Sequence, residues 1–310
     1  MLPVIRPSRL LPGDTIGITA PAGWGDPEGL KPVIARFEQM GLKVKVGDTV
    51  YKRYGYLAGT DAERATELNE MFADPGIQAI VCSRGGYGTA RIADMLNYEM
   101  IRRNPKIFWG YSDITFLHNA IRRHSGLVTF HGPMPVSLAE GDVHPLTLEG
   151  FSLLREPRPF GYDETITPLQ VLVPGEARGR IAGGNLTLLA STLGTPYELD
   201  TKGCILFIED IDEEPYRIDR MLNQLRQAGK LAEAAGFMIC DFHQCEPKKR
   251  QNSFTLTEVL EHYFKAEGKP ALAGFGIGHG TPNIAIPVGI EAIMNTDKRQ
   301  VACVEPAVLG

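Results

Sequence analysis

The sequence predicts an α/β protein: an N-terminal doubly wound, mostly parallel sheet, followed by a C-terminal mixed α/β domain. Three observations predict it. Short apolar runs alternate with helix-period segments as far as about residue 135, and strands separated by helices pair in parallel beneath helices on both faces. The alternation then stops in a stretch that holds Pro145, Pro157, Pro159, Pro168 and Pro174. Finally, 310 residues exceed one comfortable hydrophobic core, so two domains are expected. We place the N-terminal domain at 1–140, a linker with some extended segments at 141–176, and the C-terminal domain at 177–310.

In chain order, residues 15–19 form an apolar strand that breaks at Ala20-Pro21-Ala22-Gly23. A helix follows, with Leu30, Val33, Ile34, Phe37 and Met40 at helical spacing and Gly41 as its stop. Residues 42–46 give the next strand. Thr60-Asp61-Ala62-Glu63 has capping-box spacing and opens a helix with Ala65, Leu68, Met71 and Phe72 on one face. Residues 77–82 are a buried strand, 89–96 a helix, 106–110 a strand, 113–123 a helix and 127–131 a strand. Right-handed crossovers put every strand-to-helix turn of such a sheet on one edge. In this flavodoxin-like arrangement that carboxyl edge, where ligands bind, collects residues 20–23, 83–88, 112 and 131–133.

In the second half, residues 177–182 form a strand that breaks at Gly183-Gly184-Asn185, with a helical pattern running on to Leu193. Residues 204–208 are a fully apolar strand ending in Glu209-Asp210. Pro215 suits the first turn of a helix whose apolar face is Ile218, Met221, Leu222 and Leu225. Residues 236–240 are a strand, 256–264 a helix, and 271–277 a strand ending in Gly278-His279-Gly280. Residues 288–294 and 300–304, about Asn295-Thr296-Asp297-Lys298, form a hairpin.

Composition narrows the function. A hydrophobic fraction of 43% with 22% charged residues is ordinary for a globular chain. A net charge of −5 without a basic stripe excludes a nucleic-acid binder, and Lys248-Lys249-Arg250 reads as a solvated loop. No apolar run is long enough to span a membrane, and Met1 to Pro7 lacks the pattern of an export signal, so a cytoplasmic protein is expected. The five scattered cysteines suit reduced thiols better than a disulfide framework. Cys240, His243 and Cys245 lack a second ligand pair at metal-site spacing, so no metal is expected.

Ile107-Phe108-Trp109-Gly110-Tyr111-Ser112-Asp113-Ile114-Thr115 is where chemistry is expected. A strand ending in Gly-Tyr before a helix holds a hydroxyl at a sharp turn, and the N–H groups of the helix start can receive an oxyanion. Ser and Asp are equally the favoured N-caps of any helix, so both readings stand at this point. A serine nucleophile needs a base and an acid that orients it. His118, His124 and His262 fall within helices, and His144 and His243 in polar loops. His279 ends an apolar strand among Gly276, Gly278 and Gly280, which suits the presentation of an imidazole as well as a surface turn. His131 ends a strand on the edge that bears Ser112 and is expected to line the pocket. Glu209 is the candidate acid and Asp210 its competitor, while Asp212, Glu213 and Glu214 suit the following helix N-terminus. Ser83-Arg84-Gly85-Gly86-Tyr87-Gly88 forms either an anion-binding nest or a tight turn. It matches neither the P-loop nor the dinucleotide fingerprint. Gly183-Gly184-Asn185 invites the same reading, with Asn185 as a substrate contact.

Together these blocks resemble the LD-carboxypeptidase family of serine peptidases, which contains the muramoyl-tetrapeptide carboxypeptidases. The resemblance rests on Ser83 to Gly88, Gly110-Tyr111-Ser112-Asp113, Gly183-Gly184-Asn185-Leu186, the block from Glu209 to Arg220, and Gly278-His279, in family order over nearly the whole chain. It implies a Ser-Glu-His triad carried by Ser112, Glu209 and His279, and an oxyanion hole from the backbone N–H of Asp113 and a glycine of Gly85-Gly86. It also implies two domains, a homodimer, and no metal or organic cofactor. The implied reaction is cytoplasmic hydrolysis of the L,D-amide that releases terminal D-alanine from a peptidoglycan tetrapeptide during cell-wall recycling. An exopeptidase must hold a free carboxylate, for which Arg84 is the first candidate and Arg217 the second. Ile114 stands where Gly-x-Ser-x-Gly would require its second glycine, which disfavours an ordinary α/β-hydrolase. The related microcin-immunity peptidases, which cleave aminoacyl-nucleotide conjugates, usually carry an added aromatic loop in a longer middle segment. This chain's middle segment has no Trp. A non-catalytic muropeptide-binding protein is the alternative of another class.

Overall fold

A computed structural model describes residues 2–139, 143–250 and 252–310. Its strands are β1 (Thr15–Thr19), β2 (Lys43–Val46), β3 (Ala79–Cys82), β4 (Ile107–Gly110), β5 (Thr129–His131), β6 (Gly161–Tyr162) and β7 (Gln170–Val173). They continue as β8 (Glu176–Asn185), β9 (Cys204–Ile211), β10 (Gly236–His243), β11 (Ala271–Ala273), β12 (Ile286–Val288), β13 (Glu291–Asn295) and β14 (Gln300–Cys303). The chain divides into two compact units. The first holds Met1–Arg158, Ala285–Gly289 and Ala307–Gly310, the second Pro159–Ile284 and Ile290–Pro306.

The first unit is built on a six-stranded sheet in the order β12-β5-β4-β3-β1-β2, parallel except where β12 runs antiparallel to β5. The order of its first five strands is that of a flavodoxin-like sheet, as expected. Every residue of β3 and β4 is buried, as a sheet covered on both faces requires. Trp109 of β4 stacks between Phe130 of β5 and Phe151, with centroids 6.2 and 4.7 Å away. Thr60 and Glu63 form the capping box that opens the helix Asp61–Ala73. The expected helix at 89–96 is instead two 3-10 turns, Thr89–Arg91 and Ala93–Met95. The Thr89 N–H is spent on the Asp113 carboxylate, 2.9 Å away, and the chain enters through Gly88 at φ 123°.

The second unit carries eight strands in the order β6-β14-β13-β8-β9-β10-β11-β7, with β8 to β11 parallel in the middle and antiparallel strands on either side. Gly183 does not break the strand. β8 runs on to Asn185, because Gly183 lies so close to β9 that a Cβ there would meet the Phe207 carbonyl oxygen at 1.9 Å.

Two further expectations change. Residues 145–173 of the expected linker hold the helix Pro145–Glu149, a 3-10 turn at Gly150–Leu154, β6 and β7, and the units divide at Arg158 and Pro159. The expected boundary between 140 and 141 lies outside the described residues. The strand expected over 288–294 is cut at Gly289: Val288 closes the first sheet, while Glu291–Asn295 pairs with β14 in the second as the expected hairpin. Among the described residues, no helix is long and apolar enough to cross a membrane.

Candidate active site

In the first unit the chain leaves β4 through an extended Tyr111 and enters a 3-10 turn, Ser112–Ile114, that feeds the helix Thr115–Ser125. Ser112 sits at φ 63°, a left-handed conformation uncommon for a residue with a Cβ. Tyr111 stands at the N-cap of this turn and Ile114 at that of the helix, so Ser112 occupies neither cap position and the cap reading of Ser112 fails. Gly85 lies against it: a Cβ at 85 would come within 2.9 Å of Ser112 Cβ, 3.0 Å of its Oγ and 3.3 Å of the Asp113 nitrogen. The glycine loop is thus in close approach to the hydroxyl and to the first N–H after it. Gly86, at φ 108°, is exposed beside Gly85.

Buried polar side chains hold this edge in shape. The Asp113 carboxylate accepts from Thr89 N, and the Thr89 hydroxyl donates to the Asp113 carbonyl at 2.7 Å. Burial raises the Asp113 carboxyl above its usual range, against the two Thr89 hydrogen bonds. Arg64, fully buried, donates to the carbonyls of Pro21 (2.5 Å) and Gly88 (2.9 Å) and pairs with Asp61, tying the loops after β1 and β3 together. His118 donates Nε2–H to the Gly110 carbonyl at 2.8 Å. Desolvation lowers it to about 4, so it is neutral and structural. Arg84 lines a cavity of about 650 Å³ with Gly23, Trp24, Tyr56, Gly86 and Tyr87, and spends one N–H on the Trp24 carbonyl.

In the second unit Glu209 lies on β9 and is fully buried, and its Oε2 is 2.7 Å from His279 Nδ1. A carboxylate only accepts, so Nδ1 carries a proton, and in the neutral imidazole Nε2 keeps its lone pair. Burial lowers the His279 pKa; the hydrogen bond and charge of Glu209, with the charges of Asp210 and Asp241, outweigh it and leave the imidazole raised. Gly278, at φ 134°, makes the approach possible, since a Cβ there would lie 2.9 Å from Glu209 Oε2. Asp210 faces elsewhere. It accepts from Asn185 Nδ2, from Thr187 N and Oγ1, and from Ile211 N, at 2.8 to 3.0 Å. Burial, then the Glu209 charge, raises it to about 6. Of the two candidate acids, Glu209 is therefore the one that touches His279.

The structure places three further residues expected to contact substrate. Asn185 is buried, donates Nδ2 to Asp210 at 3.0 Å and caps the helix Leu186–Ser191 through the Leu188 N–H. His131 is fully buried with its ring edge-on to Tyr111. Arg217 is half exposed and directed at Glu213 and the Tyr216 hydroxyl. All five cysteines are free and buried, and among the described residues no three His, Cys, Asp or Glu side chains gather as a metal site. Sequence reasoning passed over Arg64 and Asp241. The signal for Asp241 was present, because it follows an apolar strand as Glu209 does.

Residues 16–132 match the LD-carboxypeptidase N-terminal domain and residues 178–294 the LD-carboxypeptidase C-terminal domain. The chain belongs to the LD-carboxypeptidase family of serine peptidases. This LD-carboxypeptidase is 54% identical to a probable murein peptide carboxypeptidase of Bacillus subtilis, over 95% of this chain and 92% of that one. Among solved structures it resembles a muramoyltetrapeptide carboxypeptidase from Oxalobacter formigenes, at a TM-score of 0.83 and 29% identity over 93% of this chain and 97% of that one. It also resembles the microcin C7 self-immunity protein MccF in complex with aspartyl sulfamoyl adenosine, at a TM-score of 0.89 and 26% identity over 98% of this chain and 100% of that one.

Proposed function

We propose that this LD-carboxypeptidase acts in the cytoplasm on recycled muropeptides, hydrolysing the L,D-amide that releases terminal D-alanine from a peptidoglycan tetrapeptide. The observation that carries the reading is Ser112 at φ 63° on the strand-to-helix turn, with Gly85 against its hydroxyl. Ser112, Glu209 and His279 form the triad. His279 Nε2 takes the Ser112 proton as the oxygen attacks the carbonyl carbon of the L-configured residue, diaminopimelate or lysine. Glu209 holds the tautomer and stabilises the imidazolium. The tetrahedral oxyanion is received by the N–H of Asp113 and of Gly86 or Gly85. Collapse breaks the C–N bond, and His279 returns its proton to the D-alanine amine. Water, deprotonated by the same imidazole, then attacks the acyl-serine and releases the tripeptide carboxylate and the serine hydroxyl. Arg84, in its aromatic-lined cavity, is the first candidate for the substrate carboxylate. No metal or organic cofactor enters this chemistry.

The test is release of D-alanine from free and disaccharide-linked tetrapeptide by the purified protein. Release by the wild type supports the reading, and its absence from every tetrapeptide leaves a muropeptide-binding protein. The likeness to MccF favours a second reading, cleavage of an aminoacyl-nucleotide conjugate, so aspartyl sulfamoyl adenosine belongs in the same assay. The chain's two Trp residues, Trp24 and Trp109, both precede the middle segment, which weighs against it. A homodimer is part of the proposal and is read by sedimentation.

A further inference from the structure

Resting on the reading of His279 as the base, we propose that Asp241 is a positioning residue for it, seating the turn that presents the imidazole and adding a further negative charge from a second strand. The argument begins with a β-bulge. Ile239 of β10 pairs with Ile208 of β9, and Phe242 pairs with Asp210, so Cys240 and Asp241 together oppose the single residue Glu209. A bulge re-aims a side chain that a regular ladder would direct by simple alternation. Here it brings Asp241 against the His279 turn. The Asp241 N–H donates to the Ile277 carbonyl at 3.0 Å. Its carboxylate lies flush on Gly280, where a Cβ would come within 2.5 Å of Oδ2 and 3.0 Å of Cγ.

Burial raises the pKa of this carboxylate, against the charge of His243 and the nearby peptide N–H of Gly280 and charge and N–H of His279. The charges that act on His279 are those of Glu209, whose carboxylate it touches, of Asp210 from β9 and of Asp241 from β10. His243 of β10 has its Nδ1 3.9 Å from Asp241 Oδ2. Asp241 thus acts on His279 from a different strand than Glu209 does, through the backbone of the turn and through its field.

The experiment is an NMR titration of the His279 imidazole in the full chain, in the wild type and in Asp241→Asn, beside the pH profile of kcat/KM. The expected result is a midpoint lower by about one pH unit in the variant, the acid limb of kcat/KM moving the same way, and KM unchanged. A folded Asp241→Asn whose His279 titrates as in the wild type overturns the proposal, because an aspartate that only anchored the turn would leave the midpoint in place. Should Asp241→Asn fail to fold, Asp241→Ser, smaller and tolerated beside Gly280, carries the same expectation. The titration needs no substrate, so it can succeed where D-alanine release fails, and the two readings fail separately.

Discussion

At the scale of single residues, the proposed chemistry turns on a hydroxyl held at a strained turn and an imidazole held in one tautomer. Ser112→Ala should reduce D-alanine release by about 10⁴-fold or more, since triad members act as a unit, with secondary structure by circular dichroism unchanged. His279 must be neutral to accept a proton, and its surroundings raise its pKa. The acid limb of kcat/KM should therefore fall above the free-imidazole value of about 6.5, with activity lost as pH drops through it. Glu209→Gln removes the charge that raises His279. The limb should move to lower pH while kcat falls by about 10³- to 10⁴-fold, and an unmoved limb would show that Glu209 is not the partner that counts. Gly85→Ala brings a methyl within 2.9 Å of Ser112 Cβ. It should cost about tenfold or more in kcat/KM by displacing the serine, readable in steady-state kinetics. Chain position made these residues candidates, since each ends an apolar run or sits among glycines, and the family resemblance chose among them. The hydrogen bond between Asn185 and Asp210 was not legible, because partners 25 residues apart leave no periodic trace.

At the scale of elements, the strand-to-helix loops of the first unit are tied by Arg64, whose guanidinium reaches the carbonyls of Pro21 and Gly88 from the helix Asp61–Ala73. Arg64→Met leaves those carbonyls without their donor and should cost about 3 kcal/mol, read as a lower denaturant midpoint. Unchanged stability would mean water replaces the donor. The helix that contains Arg64 was legible from its capping box and apolar spacing, as was the helix Pro215–Gln227 from Pro215. The 89–96 segment misled: its residues suit a helix, but the chain forms two 3-10 turns, Thr89–Arg91 and Ala93–Met95, entered through Gly88 at φ 123°. The β-bulge at Cys240 and Asp241 was likewise invisible, since a register shift belongs to a pair of strands and neither one encodes it alone.

At the scale of the whole molecule, the last 26 residues serve both units. β12, with Pro287 tolerated on an edge strand, closes the first sheet on β5; β13 and β14 then pair between β8 and β6 in the second. A chain truncated after Ile284 loses strands from both sheets and should express as insoluble or protease-sensitive material. A soluble, cooperatively unfolding truncation would show that either unit is complete without them. The sequence by itself determined the alternation of strands and helices, the doubly wound order that follows from right-handed crossovers, and the gathering of Ser112, Gly85 and Gly86 at one sheet edge. Those properties depend on side-chain periodicity and chain chirality, which are local. Only the tertiary structure decided that Glu209 rather than Asp210 touches His279, that Asp241 is turned toward the same loop, and that the C-terminal strands are shared between units. These outcomes depend on which distant donor, acceptor or open strand edge each group meets, and that is settled by satisfying buried polar groups in the packed fold.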